Sequence, residues 1–421
     1  MIPGGELELV EADRIGHPVT VLRRSRFWLD RTVPRADRLI TAPFLLAVLG
    51  TLGIFLSIGM LLPVLPVYAK GPLDAGNIGI GLAVAAASPT ALLFQPIAGR
   101  LGDRRGRRLL VVAGPLIMAT TIASYTLVDA LLPLVTLRLA TGVGEAFAFV
   151  GFATVVNDLA PEDRRGETIS IYSLGVWGGL ALGPLLGETV LADTRYDEVW
   201  LAAAAFALAA GLVALLLPET RPAAAVEAPR RSRLVHPAAL APGTVLIASA
   251  FGFAGFNAFV AVYARDLGLD GAGSVFLVYA IVVIGIRILG RTIPDRLGPK
   301  RASGLALSLL AAGLLVIGVS GSSVGLYAGA IVFACGTALA FPSLMTLAVE
   351  AAPESERSSV VGTFGAFADV GFALGAVSLG AVASVAGYSG VFVVGACASL
   401  VGVLLLLRLP MARRATTAEA A

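Results

Sequence analysis

Charge is scarce in this 421-residue chain. Asp, Glu, Lys and Arg make up 14% of it, where a soluble domain carries about 25%. Hydrophobic residues reach 57% and the mean hydropathy is +0.87, a balance that excludes a water-soluble globular fold. Cysteine is nearly absent: Cys335 and Cys397 both sit in apolar runs and provide neither a disulfide framework nor a metal cluster. The two histidines, His17 and His236, lie in polar segments, and no HExxH or Cys/His spacing suits zinc. No G-x-x-x-x-G-K-[ST] loop is present to cradle phosphates, so the chain is not expected to be an enzyme that hydrolyses ATP. No cofactor is expected. The first 40 residues are polar and arginine-rich, unlike a cleavable signal peptide, so export of the chain itself is not expected.

Long apolar runs are what the chain has instead. A membrane-spanning helix needs about 20 predominantly apolar residues. Twelve such segments occur, with cores near 43–69, 77–98, 109–128, 131–156, 168–191, 199–217, 242–263, 273–294, 302–320, 324–350, 359–386 and 389–409. They predict an all-α membrane protein with twelve transmembrane helices. Cytoplasmic loops collect Lys and Arg. Placing the N-terminus in the cytoplasm puts 26 of the 31 basic residues on that side, leaves Lys70, Arg195 and Arg265 opposite, and puts Arg138 and Arg287 inside spans. Both termini are therefore expected to be cytoplasmic in a multi-pass protein of the cell membrane. The net charge of +3 is then topological and requires no nucleic-acid partner.

The longest polar interruption, PETRPAAAVEAPRRSRLVHPAALA at 218–241, reads as a flexible linker. It separates a first six-helix bundle, 43–217, from a second, 242–409. A cytoplasmic segment, 1–42, precedes them and a tail, 410–421, follows. The RFWLDR stretch of the first segment is either an amphipathic helix on the membrane surface or part of a solvated tail. The two bundles repeat one another. A shift of 192 residues lays Asp103, Arg104 and Gly106 on Asp295, Arg296 and Gly298, Gly144 on Gly336, and Gly179 and Gly183 on Gly371 and Gly375. Near the start of each half, VYAK at 67–70 matches VYAR at 262–265 with a shift of 195. Two parallel, pseudo-symmetric six-helix bundles around a central site suit alternating access.

The stretch GRLGDRRGRR, residues 99–108, resembles the loop signature of major facilitator superfamily transporters between their second and third helices. RLATGVG, with Arg138, Gly142 and Gly144, and GLALGPLLG, with Gly179, Gly183, Pro184 and Gly187, resemble two further motifs of that family. The last is similar to the signature of its drug and proton antiporters, although Glu188 and Ser170 stand where that signature has glycines. The resemblance implies a secondary transporter, driven here by a proton gradient, with the bilayer, protons and a small molecule as its partners. A monomer is expected. LPETRP and RLPMARR, at the ends of spans six and twelve, do not resemble sugar-porter signatures.

Ionisable groups inside spans are expensive and by default functional. Arg138 and Glu145 are seven residues apart on one helix face. They are either a proton carrier and the cation that tunes it, or a structural ion pair. Asp369 is either a proton site or a buried structural partner. Gln95 and Arg287 coincide under the 192 shift and serve either substrate contact or helix packing. Phe147, Tyr172, Trp177 and Asn257 complete an expected apolar cavity suited to an amphipathic organic ligand. Gly175, Gly179, Gly183 and Gly187, with Pro184 and their counterparts Gly371 and Gly375, form stripes that admit a close neighbour. They are read as sliding surfaces between the halves, or as ordinary tight packing. In the loop, Asp103 is placed to cap the eleventh helix across the interface, and Arg107 to tie it to Asp158, with Gly99, Arg104 and Gly106 shaping the turn. The family resemblance implies that this clasp shuts the cytoplasmic side in the outward-open state. Export of a drug-like or secondary metabolite is the leading expectation. A proton-coupled importer or facilitator, and a non-transporting sensor or scaffold, are the alternatives.

Overall fold

The computed structural model describes residues 40–161, 164–191, 195–220, 236–289, 296–352 and 357–409. The expected N-terminal surface segment, the tail 410–421 and Asp295 of the second loop copy lie outside the described residues. Every regular element among the described residues is helical. We number them α1 Ala42–Lys70, α2 Asn77–Arg105, α3 Arg107–Leu127, α4 Leu131–Leu159, α5 Arg165–Val190 and α6 Tyr196–Ala214 in the first half. The second half has α7 Pro237–Asp266, α8 Gly273–Leu289, α9 Pro299–Ser320, α10 Ser323–Glu350, α11 over 357–386 and α12 over 388–408. Nine stretches among the described residues are long and apolar enough to cross a membrane, with α11 and α12 running as one of them and α8 a shorter apolar helix.

Local chemistry explains several helix starts. Thr41 accepts a hydrogen bond from the amide of Phe44 at 3.4 Å, and Ser322 accepts one from Gly325 at 3.2 Å, each meeting a donor left open in the first turn. His236 Nδ1 accepts from Ala238 at 3.2 Å, and Pro237 follows it as the first helical residue. That cap starts α7 earlier than the hydropathy pattern predicts, so residues 237–241 are helix and not linker. Gly106 and Gly298, which the 192 shift superimposes, have φ of +103° and +78°. Gly106 joins α2 to α3 and Gly298 precedes α9, each in a conformation that L side chains rarely adopt. At this glycine the second copy of the loop keeps the positive φ of the first.

Packing repeats in the same register. A Cβ on Gly144 would meet Gly114 and Met118, and one on Gly336 would meet Ala306 and Leu310, each partner also 192 residues along. Large apolar side chains such as Leu127, Leu289 and Val385 point outward, as lipid contact demands.

The glycine stripes do not lie between the halves. Gly175, Gly179, Gly183 and Gly187 pack on α1 at Val48, Phe55, Gly59 and Met60, while Gly371 and Gly375 pack on α7 at Ile247 and Phe251. Both pairings are internal to one half, which corrects the reading of the stripes as sliding surfaces. A repeated glycine fixes how closely a neighbour can approach, and the rotation of α5 and α11 turns these glycines inward. Pro184 belongs to the same contact, its ring edge 3.2 Å from where a Gly59 Cβ would stand. A Gly183 Cβ would lie 2.6 Å from the Gly59 Cα, backbone that cannot step aside. Gly183→Val is therefore expected to destabilise the first half by about 3 kcal/mol or more, read as a lowered melting temperature in detergent. An unchanged melting temperature would refute the contact.

Candidate functional site

The polar centre begins at the break in α2. The regular helical hydrogen bonding is interrupted at Ala86, whose φ and ψ stay helical, and the α4 glycine Gly142 brings the two helices together there, because any Cβ would collide with Ala87 and Thr90. One turn earlier on α4, Arg138 donates from Nε to the carbonyl of Ala83 and from Nη2 to that of Val84, both at 3.2 Å. These are the last carbonyls before the break, where a helix is short of its own donors. The remaining arm, Nη1, lies 3.6 Å from Glu145 Oε1, with the two side chains 8% and 17% exposed. That spacing is an ion pair without a hydrogen bond, and neither atom has another hydrogen-bond partner among the described residues. Glu145 can therefore take up a proton without first breaking a hydrogen bond.

Four helix residues meet in two contacts across the halves. Gln95 on α2 donates from Nε2 to Asp369 Oδ2 on α11 at 2.9 Å. Arg287 on α8 lies over the Trp177 ring on α5, its guanidinium carbon 4.1 Å from the centroid. Under the 192 shift Gln95 corresponds to Arg287 and Trp177 to Asp369, so the two contacts are one repeat-related pair with different chemistry. Asp369 thus faces α2 rather than its own bundle. Glu145 is near enough to act on it electrostatically. Trp177 also borders a small crevice with Leu62, Leu180, Asn257, Phe276 and Tyr279. Asn257 donates to the Phe253 carbonyl at 2.8 Å and Tyr172 buries a hydroxyl with no hydrogen-bond partner among the described residues.

Phe147 is half-buried on α4. It stands about 200° around α4 from Glu145, whereas Phe149, one turn beyond Glu145, shares its face and meets Phe55 edge-on at 6.4 Å.

The interface is tight at one end and splayed at the other. At the end of α2 near Asn77, a Cβ on Gly81 would strike the Ala376 carbonyl and one on Gly380 the Asn77 carbonyl, and Tyr388 donates to Asn77 Oδ1 at 3.3 Å. Lys70 pairs with Asp266 at 3.2 Å and sits 4.8 Å from the Tyr388 ring centroid. Arg265 pairs with Glu188 at 3.2 Å, and the Ala272 amide donates to the same carboxylate at 3.3 Å. Lys70 and Arg265 are the repeat-related VYAK and VYAR cations, and each reaches into the other half. In the sequence Glu188 stands out only as a departure from a glycine motif. A lone acid at the end of an apolar span, opposite two basic repeat positions, is the signal that could have found it.

At the arginine-rich end the same helices part. One turn beyond Gln95, a Cβ added to Gly99 would meet no atom of the described residues within 4 Å, and the same holds for Gly362 and Gly365 on the Asp369 face of α11. Asp103 is accordingly 64% exposed, and among the described residues it bonds Arg107 at 2.6 Å within the first half and not α11, whose expected capping site at 353–356 lies outside the described residues. Arg107 also reaches Asp158 at 3.3 Å. Arg104 ends α2 in its last turn. Glu219, which sequence reasoning passes over, accepts from the amides of Arg107 at 2.7 Å and Arg108 at 3.1 Å, so it caps the start of α3.

The Major Facilitator Superfamily model matches residues 47–302 and 293–421. The uncharacterized MFS-type transporter STM4428 of Salmonella typhimurium is 30% identical over 367 residues, covering 84% of this chain and 94% of that protein. Among solved structures, the human organic anion transporter MFSD10 (TETRAN) aligns over 86% of this chain and 98% of its own, at 21% identity and a TM-score of 0.66. A bacterial homolog of the human lysosomal transporter Spinster, inward-facing and unoccupied, aligns over 88% of this chain and 95% of its own at 14% identity and a TM-score of 0.69. Those two likenesses concern the fold. With a family model spanning most of the sequence and a relative matched nearly end to end, this chain belongs to the Major Facilitator Superfamily of membrane transporters.

Proposed function

We propose that the chain is a proton-coupled antiporter that exports a small amphipathic organic compound across the cell membrane. In this reading α1 to α12 each cross the bilayer, both chain ends are cytoplasmic, and the two halves rock about a site between them. The observation that carries it is Glu145, an intramembrane carboxylate held by Arg138 at 3.6 Å with no hydrogen bond and within electrostatic range of Asp369, which touches the other half. A proton arriving at Glu145 removes a charge at the centre of the interface, where low dielectric makes each charge count. The Lys and Arg distribution makes the splayed end cytoplasmic, so the conformation is inward-facing. Asp103, free of α11, is then a clasp in its released position. The resemblance of GLALGPLLG to antiporter signatures supports export, and one chain supplying both sides of the site supports a monomer.

Each proton moving down a membrane potential supplies about 2.3 kcal/mol per 100 mV. The test is exchange in proteoliposomes under an imposed pH gradient, with amphipathic cations, neutral compounds and anions offered in turn. Wild type should accumulate or expel at least one compound against protons. Glu145→Gln, an uncharged isostere, should lose that exchange by about 100-fold, within the range for removing a proton-transfer group. Full exchange by the variant would overturn Glu145 as the carrier. Substrate movement indifferent to the pH gradient would overturn antiport in favour of a facilitator.

A further inference from the structure

Among the described residues, the cation of Arg287 is the member of the interior ionisable set that the transport reading leaves without a task. Arg138 is matched to Glu145, Asp369 to Gln95, and Glu188 to Arg265. Arg287 instead rests on a ring face, and its Nε and Nη2 are buried with no hydrogen-bond acceptor among the described residues. Those two donors share one edge of the planar guanidinium, the edge that grips both oxygens of a carboxylate side-on. A buried cation with that edge empty is expensive unless an anion completes it. The indole beneath offers a partial substitute through its negative ring face.

We propose that Arg287 and Trp177 receive the anionic head group of the substrate, so the transported compounds are amphipathic organic anions, chiefly monocarboxylates carrying an apolar or aromatic body. This rests on the transporter reading and narrows its substrate class. Apolar side chains stand beside the head-group position: the Trp177 crevice is lined by Leu62, Leu180, Phe276 and Tyr279, and Phe341 meets the indole at 6.3 Å, but the crevice measures only about 10 Å³ and must widen to admit the body. The crevice is tight and the donor edge is closed to water in this conformation, so the guanidinium must swing off the indole as the anion enters. The repeat-related position on α2 is the neutral Gln95, engaged with Asp369, so the anion site exists in one half-interface only. A cationic drug would meet Arg287 as a like charge, which sets the selectivity against cationic substrates.

Calorimetric titration of the full-length protein in detergent distinguishes charge from shape with three matched probes: 2-naphthoate, 2-naphthamide and 2-naphthylmethylammonium. Wild type should bind the carboxylate at least about ten-fold more tightly than the amide and should not measurably bind the ammonium. Arg287→Gln should remove the preference, and Arg287→Lys, a point charge without the fork, should keep only part of it. Trp177→Phe should keep the preference while weakening all binding. Equal affinity of wild type for naphthoate and naphthamide, no binding of either, or a preference surviving Arg287→Gln, would overturn the proposal. The wild-type comparison decides the matter even if Arg287→Gln does not fold. Failure of the transport reading looks different: naphthoate would bind with the stated preference yet show no exchange against protons in vesicles.

Discussion

Glu188→Ala is expected to release the closed end of the interface and shift the protein toward the opposite conformation by about 30-fold. Glu188 is 7% exposed and combines three attractions: Arg265 at 3.2 Å, the Ala272 amide at 3.3 Å, and the N-terminal end of α8, which favours a negative charge. Breaking a buried pair by removing one partner costs about 3 to 5 kcal/mol. The Arg265 side chain is 28% exposed and recovers some hydration, which lowers the figure to about 2 kcal/mol, or 30-fold in the ratio of states. The neighbouring Lys70–Asp266 pair provides the control. Its side chains are 43% and 47% exposed, so Asp266→Asn should move the same ratio less than about five-fold. Ala376 is fully buried where α11 meets α2, so a cysteine there, with Cys335 and Cys397 replaced by serine, reports opening by its rate of alkylation. A rate that Glu188→Ala leaves unchanged would show that the pair carries no conformational energy.

Arg138→Ala is the variant expected to do most damage to the folded protein. It strips the last α2 carbonyls before the break of their donors and leaves Glu145 without its cation. An uncompensated buried charge costs about 3 to 5 kcal/mol and each orphaned buried acceptor about 1 to 3 more. Native stabilities are of order 5 to 15 kcal/mol, so little folded protein should accumulate. Arg138→Met combined with Glu145→Gln removes both charges together and should recover much of the expression while remaining inactive in proton-driven exchange. The measurement is the yield of monodisperse protein and its melting temperature. Arg138→Ala purifying normally with wild-type melting would dismiss the proposed bracing of α2. The structural and the proton-tuning roles of this arginine are therefore not exclusive: one guanidinium braces a helix break and also faces the carboxylate beside it.

Loss of function by two routes can be separated. Gly183→Val acts within one half and should appear as instability, whereas Glu188→Ala acts between halves and should appear as altered access in a stable protein. The distinction matters because both residues belong to one stretch of α5, GLALGPLLGE, and the helix turns one toward α1 and the other toward α7 and α8.

Composition and periodicity alone determined the class of this protein, because membrane insertion reads local apolar length and local charge. The repeat was equally legible: Gly106 and Gly298 hold their positive φ for a reason internal to one turn, and Gly144 and Gly336 pack in one register. Spacing on a helix also predicts that Arg138 meets Glu145. What no local pattern contains is the absolute rotation of each helix against its neighbours. A wheel fixes the angle between two residues and leaves open where that face points. For that reason the glycine stripes of α5 and α11 point, on sequence alone, toward the wrong partner, and Asp369 has no assigned neighbour. Only tertiary packing decided that Gln95 meets Asp369, that Arg287 lies on Trp177 and that Glu188 locks Arg265. Each is a contact between side chains at least 77 residues apart, and their sum depends on the tilt between two halves that no local pattern encodes.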